Sequence, residues 1–152
     1  MFLHEGVWKR AVTAAGLDDY NQLTSSGLSS QLIGDGLLIR HDEEGDLSEA
    51  PAEACLVLKP EQLDFISHPY EWCFSQLKDA ALLTLEIQHR ALAHGMSLKD
   101  ASAFNVQFHR GRATFIDTLS FERDGGGPWV AYEQFCRHFR SEERRVGKEC
   151  RS

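Results

Sequence analysis

Two aspartates and one asparagine carry the most suggestive chemistry in this sequence: Asp100, Asn105 five positions on, and Asp117 at the end of a second short apolar run. Carboxylate and carboxamide oxygens are hard donors of the kind Mg²⁺ prefers. A carboxylate can also take a proton from an attacking hydroxyl. Between the last two residues, Asn105-Val106-Gln107-Phe108 and Ala113-Thr114-Phe115-Ile116-Asp117 flank His109-Arg110-Gly111-Arg112, a glycine-containing turn. That pattern reads as a β-hairpin, and strands that double back bring Asp117 beside Asn105. The same three residues have plainer uses: Asp100 can cap a turn, Asn105 can bridge loop backbone and Asp117 can close a hairpin.

The element that must deliver the chain to Asp100 is a long helix from Tyr70 or Glu71 to about His94. Phe74, Leu77, Ala81, Leu85 and Gln88 fall at helical spacing, with Ala80, Leu83, Thr84, Ile87 and Ala91 beside them, so the apolar stripe is broad. Pro69 and Gly95 punctuate its ends. Upstream, Val7–Val12 alternates after Gly6 as a strand does, and Asp18 or Asp19 could cap a helix through Tyr20, Leu23 and Leu28. Ser29–Ile33 suggests a second short helix, Gly36–Arg40 a strand, and Ala54–Lys59 a buried strand stopped by Pro60. The acidic run Asp42-Glu43-Glu44-Gly45-Asp46 reads as a solvated loop. Pro128 suits the first turn of a final helix that no cap closes. Together these elements predict an α+β fold.

Composition narrows the function. The net charge of −7 argues against a nucleic-acid surface, which would need a basic face. No stretch approaches the roughly 18 apolar residues that span a bilayer, and the N-terminus lacks a secretory pattern, so a cytoplasmic location with no membrane partner is expected. Cys55, Cys73, Cys136 and Cys150 form no CxxC pair and are read as reduced thiols. The seven histidines show no metal-ligand spacing; His89 and His94, five apart, do not share a helix face. Trp8, Trp72, Phe74, Phe115 and Trp129 are read as core or contact residues rather than a stacking platform. No Ser-His-Asp order, Walker loop or H-E-x-x-H motif occurs.

The last 13 residues, Arg140–Ser152, break with this pattern, with Val146 as their one strongly apolar residue. They resemble a translated sequencing adaptor and are expected to be artefactual. Residues 1–139 then form the native module, with 11 basic and 20 acidic residues, and the true C-terminus is missing.

The order Asp100, Asn105, hairpin, Asp117 resembles the catalytic loop of protein-kinase-like phosphotransferases, and the preceding long helix matches the one beneath that loop. This resemblance implies a partial protein-kinase-like topology. It makes Asp100 the base-like catalytic residue, and Asn105 and Asp117 ligands for Mg²⁺. The sequence departs from the pattern at Leu98-Lys99 before the aspartate and at Thr118-Leu119 after Asp117; it has no glycine-rich loop, and neither Lys9 nor Lys59 is identifiable as a phosphate anchor.

A longer likeness covers Phe2 to Phe139. Ile66–Trp72, Gln76–Leu85, Met96–Phe108, Phe115–Glu122 and Pro128–Phe139 resemble the N-terminal region of a bacterial family labelled class I SAM-dependent methyltransferase. The resemblance implies a parent protein whose S-adenosylmethionine site lies in a missing C-terminal methyltransferase domain, the partner of this region. The fragment would then position substrate or regulate. No SAM-binding residue carries over. Gly34-Asp35-Gly36 precedes its expected strand and Gly125-Gly126-Gly127 leads into Pro128, whereas the cofactor needs a strand, a glycine turn and a helix in that order.

Overall fold

The computed structural model describes residues 1–149, with side chains described through Arg140; Cys150 and the other expectations for the tail's side chains lie outside the described residues. Strands β1 (Phe2–His4) and β2 (Val7–Thr13) form a hairpin whose two turn residues, Glu5 and Gly6, have φ of 50° and 78°. Positive φ at both positions matches the right-handed twist of the flanking strands. Helices α1 (Ala14–Ser25) and α2 (Leu28–Gly34) follow, then β3 (His41–Glu44) and β4 (Ala54–Pro60). The four strands make an antiparallel sheet in the order β1-β2-β4-β3.

A connector and a 3₁₀ turn at Pro69–Glu71 lead into the long helix α3 (Phe74–Ala93). Strand β5 (Met96–Leu98) pairs antiparallel with β8 (Phe121–Arg123), enclosing the hairpin of β6 (Val106–His109) and β7 (Arg112–Phe115). Helix α4 (Tyr132–Glu149) closes the described chain, its backbone running across the expected boundary at residue 139. Helices and antiparallel sheets make this an α+β fold. Among the described residues no helix is long and apolar enough to cross a membrane.

Helix α3 organises the core. Leu77, Ala80, Thr84, Ile87 and Ala91 recur at three- and four-residue intervals and are buried, with Leu83 and Gln88 beside them. They meet Leu23 and Leu32 from the N-terminal helices, Met96 and Leu98 of β5, and Phe115 of β7 in one cluster. A smaller cluster of Val12, Tyr20 and Leu58 lies between the sheet and α1.

Several elements depart from the sequence reading. Residues Asp42–Glu44 form strand β3 rather than a loop, because two of their carboxylates have partners: Glu43 accepts from Tyr20 Oη at 2.7 Å, and Glu44 lies 2.6 Å from Lys9 Nζ. Gly36–Arg40 is no strand. Leu37 and Leu38 donate back to Leu32 O at the end of α2, and Leu38 contributes a single bridge to Phe115. Helix α1 starts at Ala14, so Asp18 and Asp19 lie inside it and cap nothing. Helix α3 starts at Phe74 after a separate 3₁₀ turn, with Gln76 Oε1 accepting from Cys73 N at 3.0 Å. Pro128 precedes α4 by several residues. Trp72 and Phe115 are core, but Trp8 and Phe74 are 50% and 42% exposed.

Phe115 is fully buried against Phe121 and α3, so Phe115→Ala should cost roughly 3–5 kcal/mol through lost transfer energy and a residual cavity. Urea unfolding measures this, and a loss below about 1 kcal/mol would contradict its central place. His41 is held below its ordinary pKa, chiefly by burial, with its Nε2 3.1 Å from Tyr20 Oη. The unfolded chain therefore binds more protons, and this histidine's contribution is lost as pH falls through about 6.5. Stability should drop between neutral and mildly acidic pH, and His41→Gln should flatten that drop; an unchanged pH profile would show that His41 is not responsible.

Candidate functional site

The loop after β5 is fixed from three sides before any of its own side chains act. Buried Gln88 of α3 accepts from Leu98 N at 2.8 Å and donates to Ser97 Oγ at 3.0 Å. Trp129 Nε1 donates to Leu98 O at 2.7 Å, and Lys99 N donates to Ser120 O at 2.8 Å. Strand β5 is three residues long, so these contacts replace the ladder that a longer strand would supply.

Asp100 sits at the head of that loop and faces α4. Its Oδ1 accepts from Ser102 N at 2.9 Å and from Gln134 Nε2 at 3.0 Å, while Gln134 Oε1 accepts from Ala101 N at 2.8 Å. One turn further along α4, His138 Nδ1 lies 3.3 Å from Ala103 N and 3.4 Å from Ser102 Oγ. The loop is thereby clamped by an i, i+4 pair on one helix face. Lys99 does not neutralise Asp100; its ammonium is 3.9 Å from Asp19.

Asn105 ends the loop, and its backbone carbonyl accepts from Ile116 N at 2.8 Å, which closes the base of the hairpin. The hairpin turns at Arg110-Gly111, both with positive φ, and pairs Val106 with Phe115. Asn105 Nδ2 then donates to Ser120 Oγ at 3.2 Å and lies 3.5 Å from the Asp100 carbonyl. Ser120 Oγ donates in turn to Asp117 Oδ2 at 2.7 Å. The hairpin therefore brings Asn105 and Asp117 together through a bridging hydroxyl, and Asp100 joins them through its backbone rather than its carboxylate.

The charge of Asp117 is met from the other side of the molecule. Arg10 Nη1 on β2 lies 2.8 Å from Asp117 Oδ1, with the two side chains only 16% and 18% exposed. Leu119 N donates to the same oxygen at 3.2 Å. A charged donor in a partly desolvated setting holds a carboxylate more firmly than a surface pair does. Of the lysines considered as phosphate anchors, Lys9 is engaged by Glu44 and Lys59 faces a different cavity. Beside Arg10, a cleft of about 410 Å³ opens between β2, the connector after β4 and the hairpin, walled by Trp8, Ile39, Leu63, Phe104 and Ile116.

Sequence reading did not identify Arg10, Ser120, Gln134 or His138. Gln134 and His138 stand one helical turn apart, but so do Glu133 and Arg137 beside them, so spacing alone does not single them out. Arg10 carried no signal, since its partner is far along the chain. Among the described residues no group of three or more His, Cys, Asp or Glu side chains is arranged to hold a metal ion.

No family model matches the chain. Nodulation protein NoeA of Rhizobium meliloti (strain 1021) is 42% identical to it over 113 residues, 72% of this chain and 24% of that protein. The chain thus spans about a quarter of the length of the curated relative it matches.

Proposed function

We propose that this chain is a non-catalytic, kinase-like module of a longer SAM-dependent methyltransferase, in which it positions substrate or regulates the methyl-transferring domain. The observation that carries the non-catalytic reading is the Arg10 guanidinium on Asp117, whose two carboxylate oxygens both have protein donors. Asp117 is taken by Arg10, Ser120 and Leu119, while Ser102 N and Gln134 hold the Oδ1 of Asp100. Mg²⁺ requires several oxygens free to approach at about 2.1 Å in octahedral geometry. With Arg10 on Asp117, this donor set does not fit the ion.

The methyltransferase assignment rests on the resemblance over Phe2–Phe139. Match to only a quarter of a longer relative supports the view that further domains accompany this one. The local structure is in keeping with a SAM site elsewhere: Gly36 follows the C-terminus of α2 and Gly125–Gly127 form an exposed loop, neither being a turn from a parallel strand into a helix. Cys55, Cys73 and Cys136 are unpaired thiols, which suits the cytoplasmic location proposed for the parent protein.

A second reading, a Mg²⁺-dependent phosphotransferase, is favoured by the convergence at Ser120 and by the apolar cleft beside Arg10. It requires Arg10 to leave Asp117. Thermal unfolding of the chain with millimolar Mg²⁺, and separately with S-adenosylmethionine, distinguishes the possibilities. Neither ligand should raise the melting temperature saturably. A Mg²⁺-dependent rise lost in Asp117→Asn would show a metal site there and favour the phosphotransferase reading instead, and saturable SAM binding would overturn the assignment of that site to another domain.

A further inference from the structure

A second cavity, of about 560 Å³, adjoins the cleft beside Arg10 at Ile39 and Pro60–Gln62 and includes none of Asp100, Asn105 or Asp117. It is framed by the C-terminal end of α2, the segment after it, the end of β4 and the tip of the hairpin. The backbone sets its shape: Ile39 N donates to Phe115 O at 2.8 Å, and Glu61 N donates to Arg40 O at 2.8 Å. These bonds hold the segment between hairpin and sheet, and so bring distant cations to one place.

Arg40, Lys59, Arg110 and Arg112 all line this cavity, four of the chain's 16 Lys and Arg residues, against only two of its 23 acidic residues, Asp42 and Glu61. Glu61 is already engaged by Arg110 at 2.9 Å, with His109 Nε2 3.3 Å from the same oxygen. Asp42 is the cross-strand neighbour of Lys59 but forms no ion pair with it. Arg40, Lys59 and Arg112 have no acidic partner within 4.0 Å among the described residues. For a chain of net charge −7, three uncompensated cations around one hollow run against the average field. Arg112 Nη1 lies 3.6 Å from where a Cβ on Gly36 would stand, so the glycine leaves room for the guanidinium, and Gly36 has φ of 72°. The floor is apolar, made of Ile33, Leu38 and Ile39.

We propose that this cavity binds a small phosphate ester, with its phosphate on Arg40, Lys59 and Arg112 and its less polar body against Ile33, Leu38 and Ile39. Planar guanidinium groups offer paired donors matched to phosphate oxygens, and Lys59 adds a point charge. His41 lines the same wall. The site is separate from the one assigned above and does not depend on whether Asp117 ever meets a metal.

Inorganic pyrophosphate serves as the probe, titrated into the full chain at constant ionic strength with calorimetry and thermal unfolding as readouts. Saturable one-to-one binding is expected. Arg40→Ala and Arg112→Glu, made separately on exposed side chains without ion pairs, should each weaken it at least tenfold while circular dichroism stays unchanged. Lys78→Ala, on the exposed face of α3, should bind as the unsubstituted chain does. Absence of saturable binding at millimolar pyrophosphate would overturn the proposal, as would undiminished binding by Arg112→Glu.

Discussion

The ion pair between Arg10 and Asp117 joins the N-terminal sheet to the loop-and-hairpin unit, and the character of the candidate site depends on it. Arg10 lies on β2, an interior strand of the sheet, opposite Leu58 of β4. Asp117 lies where the hairpin hands the chain to β8. Desolvating two charges is costly, and their attraction repays that cost only when other hydrogen bonds complete the shell. Here Ser120 and Leu119 supply those bonds to Asp117. The outcome is a carboxylate neutralised by the protein itself, at a position where the kinase-like pattern would have a cation bind from solution.

The same economy of partners runs through the neighbouring loop. Gln88 satisfies Leu98 N from beneath, Gln134 caps Ala101 N and Asp100 from α4, and Asn105 reaches Ser120. Gln88 and Gln134 each use donor and acceptor on adjacent groups, so a short irregular segment is held by side chains from two helices. A loop held at this many points is suited to present a fixed surface. It is less suited to chemistry in which a carboxylate must exchange partners at each turnover.

Much of this was legible in the sequence because it is local. The periodicity of Leu77, Ala80, Thr84, Ile87 and Ala91 announces α3, and a glycine between two short apolar runs announces the β6–β7 hairpin, whose closure brings Asn105 near Asp117. The remainder rests on contacts between residues distant in the chain. Arg10 finds Asp117, Tyr20 finds Glu43, and Lys9 finds Glu44 only once the sheet forms. Those last two contacts turn an acidic stretch that looks solvated into a strand. The cation-lined cavity is hidden for the same reason: Arg40, Lys59 and Arg112 meet through strand register and hairpin placement, neither of which composition reveals.

A double-mutant cycle on Arg10→Met and Asp117→Asn, read by urea unfolding, tests most directly whether Arg10 is the resident cation of this site. Each single substitution should destabilise the fold by roughly 1–3 kcal/mol, because it strands a partly buried group. The double variant should lose markedly less than the sum, leaving a coupling of about 1 kcal/mol or more. Additive losses, with the coupling indistinguishable from zero, would contradict the account.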